Sequence, residues 1–286
     1  MYKDFGNWET YDGFSYGSGT SNQEWIISNK TGQIGLFKER KTEFTTDNFS
    51  EKIASQIAKI IGIECAEIDL AIRDNRIGVV SYKINSDTEN IIEGINYISK
   101  IYPLYNRNNL TDEASNEKYS LDMILKSING LNLESDLFKI FIFDFIIGNT
   151  DRHHSNWAIL RDSENVKICP LYDNASSLCA YESDERIEKN LASEKWINAR
   201  IDSSSKSLIR LNGKKVRHSD FVRYIKDNYY SETIQFVCNI KNRLNNSVIE
   251  ELIYSYKGLL SENKISLLKI YLEEKVKLLS NIYGII

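Results

Sequence analysis

Proline and cysteine are scarce, and neither is placed to impose a framework: the chain has two prolines, Pro103 and Pro170, and four cysteines. Cys65, Cys169, Cys179 and Cys238 are scattered without a C-x-x-C pair. That pattern excludes a disulfide frame and a zinc ribbon and predicts reduced thiols. No stretch approaches the ~20 apolar residues that cross a bilayer, so no membrane span is expected. The start, Met1-Tyr2-Lys3-Asp4-Phe5-Gly6-Asn7, lacks the long apolar core of a signal peptide. A soluble, cytoplasmic protein is expected, although delivery to a host cell by a signal-less route would leave no mark in the sequence. Positive charge is also lacking: the formal net charge is -4, so no global field draws nucleic acid. The local run Lys214-Lys215-Val216-Arg217-His218 reads as a solvated loop.

What remains is the material of an ordinary folded protein: 286 residues, 42% hydrophobic and 27% charged. The early part is strand-rich. Trp25–Ser28 and Gln33–Lys38 are β-prone runs around a turn at Asn29-Lys30-Thr31-Gly32. A helix follows, with Phe49, Ile53, Ile57 and Ile60/Ile61 at helical spacing, Asp47 as N-cap and Gly62 as stop. Glu67–Ile72 and Ile77–Tyr82 are two more strands, joined by a turn at Arg73–Arg76. After Lys83 the pattern changes: Asn85–Asn90 reads as a linker, Asn106–Tyr119 as a polar mobile loop, and helices dominate beyond. Leu137, Ile140, Phe141, Phe143, Phe145, Ile146 and Ile147 cover nearly the whole circumference of a helix, which should lie deep in the larger lobe. Amphipathic patterns recur over Glu232–Leu244 and Ile265–Ile282. The fold class expected is α+β: a small β-rich lobe over residues 1–84 and a larger helical lobe over residues 85–286, with the active cleft near residues 83–90.

The polar features fall in the order that phosphoryl transfer needs. Gly17 and Gly19 would let backbone amides approach phosphate oxygens, and Ser18, Ser21 and Asn22 add donors. Lys38, closing a strand, can neutralise phosphate charge, and Glu51 on the next helix is placed to pair with it. Tyr82 at the lobe junction and His153 complete the candidate nucleotide-binding set. The apolar helix then runs into Asp151-Arg152-His153-His154-Ser155-Asn156, and a second apolar run ends in Tyr172-Asp173. The Asp-x-x-x-x-Asn spacing is that of a protein-kinase catalytic loop, where the carboxylate orients the attacking hydroxyl and the amide oxygen holds a metal. Asp151, Asn156 and Asp173 are therefore the candidate catalytic residues, with Asn156 and Asp173 holding Mg²⁺ against ATP. The adjacent histidines also admit a metal-hydrolase reading. In the favoured one, a histidine packs beneath the loop and hydrogen-bonds Asp151 or Asp173.

Ile146-Ile147-Gly148-Asn149-Thr150-Asp151-Arg152-His153-His154-Ser155-Asn156 resembles the "igntDrH-x-x-N" segment of HipA-like serine/threonine kinases. Cys169-Pro170-Leu171-Tyr172-Asp173-Asn174-Ala175-Ser176-Ser177-Leu178 is similar to their "sPlyD…sSL" segment, and Ser50-Glu51 through Ile63 to the helix after their ATP lysine. The resemblance implies Asp151 as catalytic base, Asn156 and Asp173 as metal ligands, Lys38 as the phosphate lysine and Glu51 as its partner. It also implies autophosphorylation in the glycine-rich loop, with Ser18 and Ser21 as candidates, and a protein substrate together with an antitoxin or regulatory protein as partners. A phosphate in that loop would add about -1.5 to -2 charges where ATP must sit, and so inhibit. The usual Arg-Phe-Asp-Arg after the hinge strand is replaced by Val80-Ser81-Tyr82-Lys83, and Asn174 follows the metal aspartate where eukaryotic kinases have glycine. The short start resembles compact CtkA-type members, or short HipA-type members, lacking the N-terminal subdomain. A small-molecule or lipid kinase on the same fold, or a nucleotide-binding interaction module without transfer activity, are the alternatives.

Overall fold

The computed structural model describes residues 1–13 and 23–285, so the candidate phosphate-loop residues Gly17, Ser18, Gly19, Ser21 and Asn22 lie outside the described residues. The early strands are β1 (Lys3–Asp4), β2 (Glu9–Thr10), β3 (Gln23–Ile27) and β4 (Ile34–Glu39). Helix α1 (Asp47–Ile61) precedes β5 (Ile68–Arg73) and β6 (Arg76–Tyr82). These strands form one sheet in the order β1-β5-β6-β4-β3-β2, with β1 parallel to β5. The β5–β6 hairpin turns through Asp74 and Asn75, both at positive φ (50° and 64°), as a two-residue turn of right-twisting strands requires.

Strand alternation gives the sheet two different faces. Phe37 and Val80 lie opposite each other and face a small cluster with Phe5, Ile26 and Ala71. Lys38 and Val79, also opposite each other, face the other way, toward α1 and the main core. Helix α1 buries Phe49, Ile53, Ile57 and Ile61 and ends at Gly62 in the left-handed region, φ 81°, as its sequence pattern predicts. Its start differs: Thr46 precedes the helix and no side chain caps it. Asp47 instead accepts from the Lys41 backbone N–H at 3.0 Å and from the Thr45 hydroxyl, so it holds the β4–α1 loop.

The rest begins with β7 (Asn90–Glu93) and α2 (Gly94–Ile101). The stretch read as a mobile loop carries a two-stranded sheet, β8 (Tyr105–Asn106) with β9 (Thr111–Asp112). It is anchored by Asp112, which accepts from Ser115, and by the buried ring of Tyr119. Its polar side chains bond one another, which composition alone does not show. Helices α3 (Leu121–Ser127) and α4 (Glu134–Ile147) follow, then β10 (Ala158–Arg161) and β11 (Val166–Ile168). Strands β10 and β11 lie in sequence between the Asp151–Asn156 loop and Asp173, and they join β7 in a three-stranded sheet of order β11-β10-β7. The helices after it are α5 (Asp184–Asn190), α6 (Glu194–Asn198) with a π-helical turn at Ala199–Ser203, and α7 (His218–Asn228). Last come α8 (Tyr230–Arg243), α9 (Asn246–Tyr254) and α10 (Glu262–Tyr283). Among the described residues no helix is long and apolar enough to cross a membrane.

Helix α4 buries Leu137, Phe138 and every residue from Ile140 to Ile147, and packs against α7, α8 and α10, as its nearly all-round apolar pattern requires. Gly148 ends it at φ 66°, and a Cβ there would collide with the Tyr271 hydroxyl. Gly130, at φ 83°, has nothing within 4 Å of an added Cβ. Gly130→Ala should therefore cost only the left-handed backbone penalty, about 1–2 kcal/mol. Gly148→Ala should cost an overpacking penalty of about 1–3 kcal/mol in addition. Urea denaturation of both variants checks the difference, and equal losses would show that Tyr271 yields freely.

Candidate active site

The Asp151–Asn156 loop begins just after α4 stops. Asp144, the one carboxylate in the apolar stretch of that helix, is 3% exposed, so it needs a buried cation. Arg152, itself 2% exposed, supplies it, with Nε at 2.9 Å from Oδ2 and Nη2 at 2.7 Å from Oδ1. The same guanidinium donates to the backbone carbonyls of Asn156 and Tyr172 and to Asn174 Oδ1. It therefore stitches the Asp151–Asn156 loop to the residues on either side of Asp173. Burial pushes the Asp144 carboxyl up, and the Arg152 fork, which keeps its charge, opposes that rise.

Short bonds fix the loop itself. Asn149 Oδ1 accepts from the Asp151 N–H at 3.1 Å, and its Nδ2 donates to Asp144. Asn156 Nδ2 donates to the Asp151 carbonyl at 2.7 Å, which closes the loop on itself and leaves Oδ1 as the atom available to a cation. His153 Nδ1 accepts from the Ser155 N–H at 3.1 Å. The buried histidine is His154, and its Nδ1 lies 3.1 Å from the Tyr105 hydroxyl. A histidine does pack beneath the loop, but it bonds neither Asp151 nor Asp173; Arg152 takes the supporting part. The missed signal was Asp144 itself, a lone carboxylate in an apolar helix.

Asp173 follows the bond pair that ties Leu171 to the chain after α1: the Ala66 N–H donates to the Leu171 carbonyl at 2.7 Å, and the Leu171 N–H to Glu64 at 2.8 Å. Its left-handed backbone, φ 56°, accompanies a carboxylate that pairs with Lys38 across the cleft, Nζ to Oδ1 at 3.3 Å. Lys38 holds Asp173 below the usual carboxylate range. Burial works against the Lys38 charge, but Asp173 and then Glu51 raise its pKa above the ordinary value. Asp151 is raised by burial and by Asp173, with His153 opposing.

Glu51 departs from the expected pairing. It lies beyond ion-pair distance of Lys38, is 1% exposed, and accepts no hydrogen bond among the described residues. The amides of Asp173 and Asn174 approach it without reaching hydrogen-bond geometry, and burial raises its pKa. Lys38, Glu51, Asp173 and Asp47 line one cavity of about 60 Å³. The Tyr82 side chain is not brought there. It shares the sheet face of Val80, packs near Trp8, and donates from its hydroxyl to Asp69 at 2.8 Å. Strand parity turns it to the sheet face away from Lys38, so the Tyr82 side chain does not join the expected nucleotide-binding set.

Residues 9–227 match the family described as HipA-like C-terminal domain. The serine/threonine-protein kinase CtkA of Helicobacter pylori is 26% identical over 192 residues, covering 64% of this chain and 57% of that relative. The chain thus aligns with little more than half the length of this curated relative. The crystal structure of a Helicobacter pylori proinflammatory kinase CtkA superposes with a TM-score of 0.82 at 21% identity, covering 99% of each chain. The HipA of Shewanella oneidensis MR-1, solved with HipB and operator DNA, gives a TM-score of 0.60 at 14% identity, over 96% of this chain and 67% of that one. These likenesses show a two-lobed, kinase-like α+β fold.

Removing Arg152 leaves Asp144 buried and uncompensated, so Arg152→Met should cost about 3–5 kcal/mol in urea denaturation. Asp144→Leu combined with Arg152→Met should recover most of that loss; no recovery would mean the backbone carbonyls, not the charge pair, dominate. His218 gives a second test. Buried beside Ser205 Oγ, 2.8 Å from its Nδ1, it is pushed down to about 3 from an ordinary 6.5. Between those values the unfolded chain binds a proton that the folded one does not. Stability should therefore fall as pH drops below 6.5, by up to about 1.4 kcal/mol per pH unit. His218→Gln should flatten that slope between pH 7 and 5, and an unchanged slope would assign it elsewhere.

Proposed function

Because the chain belongs to the family of HipA-like C-terminal domains, we propose that it is an ATP- and Mg²⁺-dependent serine/threonine protein kinase. One observation carries this reading: Asp151, Asn156 and Asp173 are held in a single bonded unit by Arg152, with Lys38 paired to Asp173 from the opposite lobe. On this reading they supply a carboxylate for the acceptor hydroxyl, two oxygen donors and a phosphate-neutralising ammonium.

The donor chemistry fits Mg²⁺. Asp173 offers a carboxylate and Asn156 an amide oxygen, both hard donors, and phosphates and water would complete the shell. Bound there, Mg²⁺ would neutralise charge on the transferred phosphoryl group. The residues do the rest. Lys38 draws the phosphates against β4, and the charge of Asp173, held low by that lysine, stays available. Asp151, raised by burial, accepts a hydrogen bond from a protein serine or threonine hydroxyl and aligns it for in-line attack. Ser18 and Ser21 are the loop positions at which self-transfer is to be sought by mass spectrometry. The HipA–HipB complex of the Shewanella neighbour motivates a search for a regulatory protein partner.

Asp151→Gln should lower transfer of label from ATP by about 10²–10⁴-fold while nucleotide binding persists. Asp173→Ala should weaken Mg²⁺-dependent nucleotide binding as well as transfer. Incubating each protein with labelled ATP and Mg²⁺, and measuring ATP affinity separately, checks both. Wild-type rates in the Asp151 variant would overturn its role.

A further inference from the structure

A second cavity opens at Thr150, the residue before Asp151. It measures about 140 Å³, and Thr150, Ser176, Tyr181, Glu182, Arg200 and Ser204 are among its lining residues. An engineered protein cavity of similar volume holds a benzene-sized group, so this one suits a single amino-acid side chain. The segment that walls it, residues 176–182, follows Asp173 directly. It is tied to the loop before α1 by the Thr46 N–H donating to the Ala180 carbonyl at 3.0 Å. Lys41 adds a bond to the Tyr181 hydroxyl at 2.6 Å, and Ser176 Oγ lies 2.9 Å from the same oxygen. Phe44, 76% exposed on that loop, and Tyr181, 49% exposed, are left for a chain lying beside Asp151.

The charges around this cavity favour an anion. The acid in its wall, Glu182, faces two guanidinium groups: Arg200 Nε at 2.6 Å and Arg186 Nε at 3.3 Å. One carboxylate against two cations leaves a positive remainder. Two lysines stand behind the wall, and burial pulls the pKa of both down, Lys275 to about 7, so the firm positive charge here is that of the guanidinium groups. Lys264 donates to the carbonyl of Cys179, and the fully buried Lys275 has no hydrogen-bond partner among the described residues and lies 5.4 Å from the Tyr271 ring centroid. Cys179 and Tyr271 are themselves lining residues. The hydroxyls of Thr150, Ser176 and Ser204 add donors. A cationic guest would be repelled, and an apolar one would leave these groups without acceptors.

We infer that this cavity is the acceptor-recognition pocket, and that it takes an aspartate or glutamate side chain of the protein substrate lying near the hydroxyl that Asp151 orients. The inference rests on the phosphotransfer reading for what the pocket serves, but its binding step can be measured without ATP. Arg200 lies over the Trp196 ring, 4.7 Å from its centroid, so anion capture by Arg200 should change Trp196 emission. Three serine peptides, identical except for Asp, Lys or Leu beside the serine, are titrated into the intact protein and then offered with ATP and Mg²⁺.

Only the Asp peptide should shift the emission, and Trp196→Phe should remove the shift. Transfer should favour the Asp peptide by roughly tenfold or more, the worth of one hydrogen bond to a charged group. Arg200→Gln should erase the preference. So should Ser204→Phe, which fills the exposed mouth without touching the ion pairs, and both variants should keep peptide-independent ATP turnover. Turnover with equal use of all three peptides, or a preference that survives Ser204→Phe, would overturn the pocket alone. Binding of the Asp peptide with no ATP turnover in the unaltered protein would instead overturn the phosphotransfer reading and leave the acidic-peptide pocket standing.

Discussion

A buried guanidinium holds this site together. Arg152 directs its five N–H groups at Asp144, at the carbonyls of Asn156 and Tyr172, and at Asn174. Few side chains could do this, because a planar fork of five donors that never loses its charge is particular to arginine. Three segments thereby share one centre: the end of α4, the Asp151–Asn156 loop and the residues flanking Asp173. Desolvating that charge is costly, and the cost is offset only because the acceptors are in place around it. Loss of any one of them would leave a polar group stranded in the core, so loop geometry and fold stability are not separable here.

Above that centre the cleft is electrostatically asymmetric. Lys38 reaches Asp173 rather than Glu51, so the charge that would meet phosphate is already bonded to the charge that would meet the cation. Glu51 sits beside them with both oxygens buried and without hydrogen bonds among the described residues. A buried acid in this state prefers its neutral form, and its pKa rises accordingly. Asp151 is another carboxylate with a raised pKa. Burial raises both acids, and the ion pair between them holds Asp173 low.

Much of this was legible along the chain. The helices over Asp47–Ile61 and Glu134–Ile147 announce themselves by apolar spacing, and Gly62 and Gly148 mark their ends. The Asp-x-x-x-x-Asn spacing and the later Tyr172-Asp173 pointed to residues that the fold does gather around Arg152. What was not legible is instructive. Asp47 looks like a cap because capping residues are recognised by type, but its carboxylate found the Lys41 amide nearer than any helix N–H. Tyr82 was assigned to the cleft from its place at the end of a strand, yet a single step in strand parity turns a side chain to the other face. The stretch Asn106–Tyr119 read as a loop because its polar side chains bond one another, which composition cannot distinguish from bonding to water.

Local pattern therefore determined the elements, their order and the identity of the acids and amide proposed to carry the chemistry, because helix and strand periodicity and short-range spacing are properties of neighbouring residues. Only the tertiary structure decided which carboxylate Lys38 meets, that Arg152 rather than a histidine braces the loop, and that a hydroxyl- and arginine-lined cavity opens beside Asp151. Those are questions of which buried charge finds which partner in the packed interior, and desolvation there, absent from any local window, settles them.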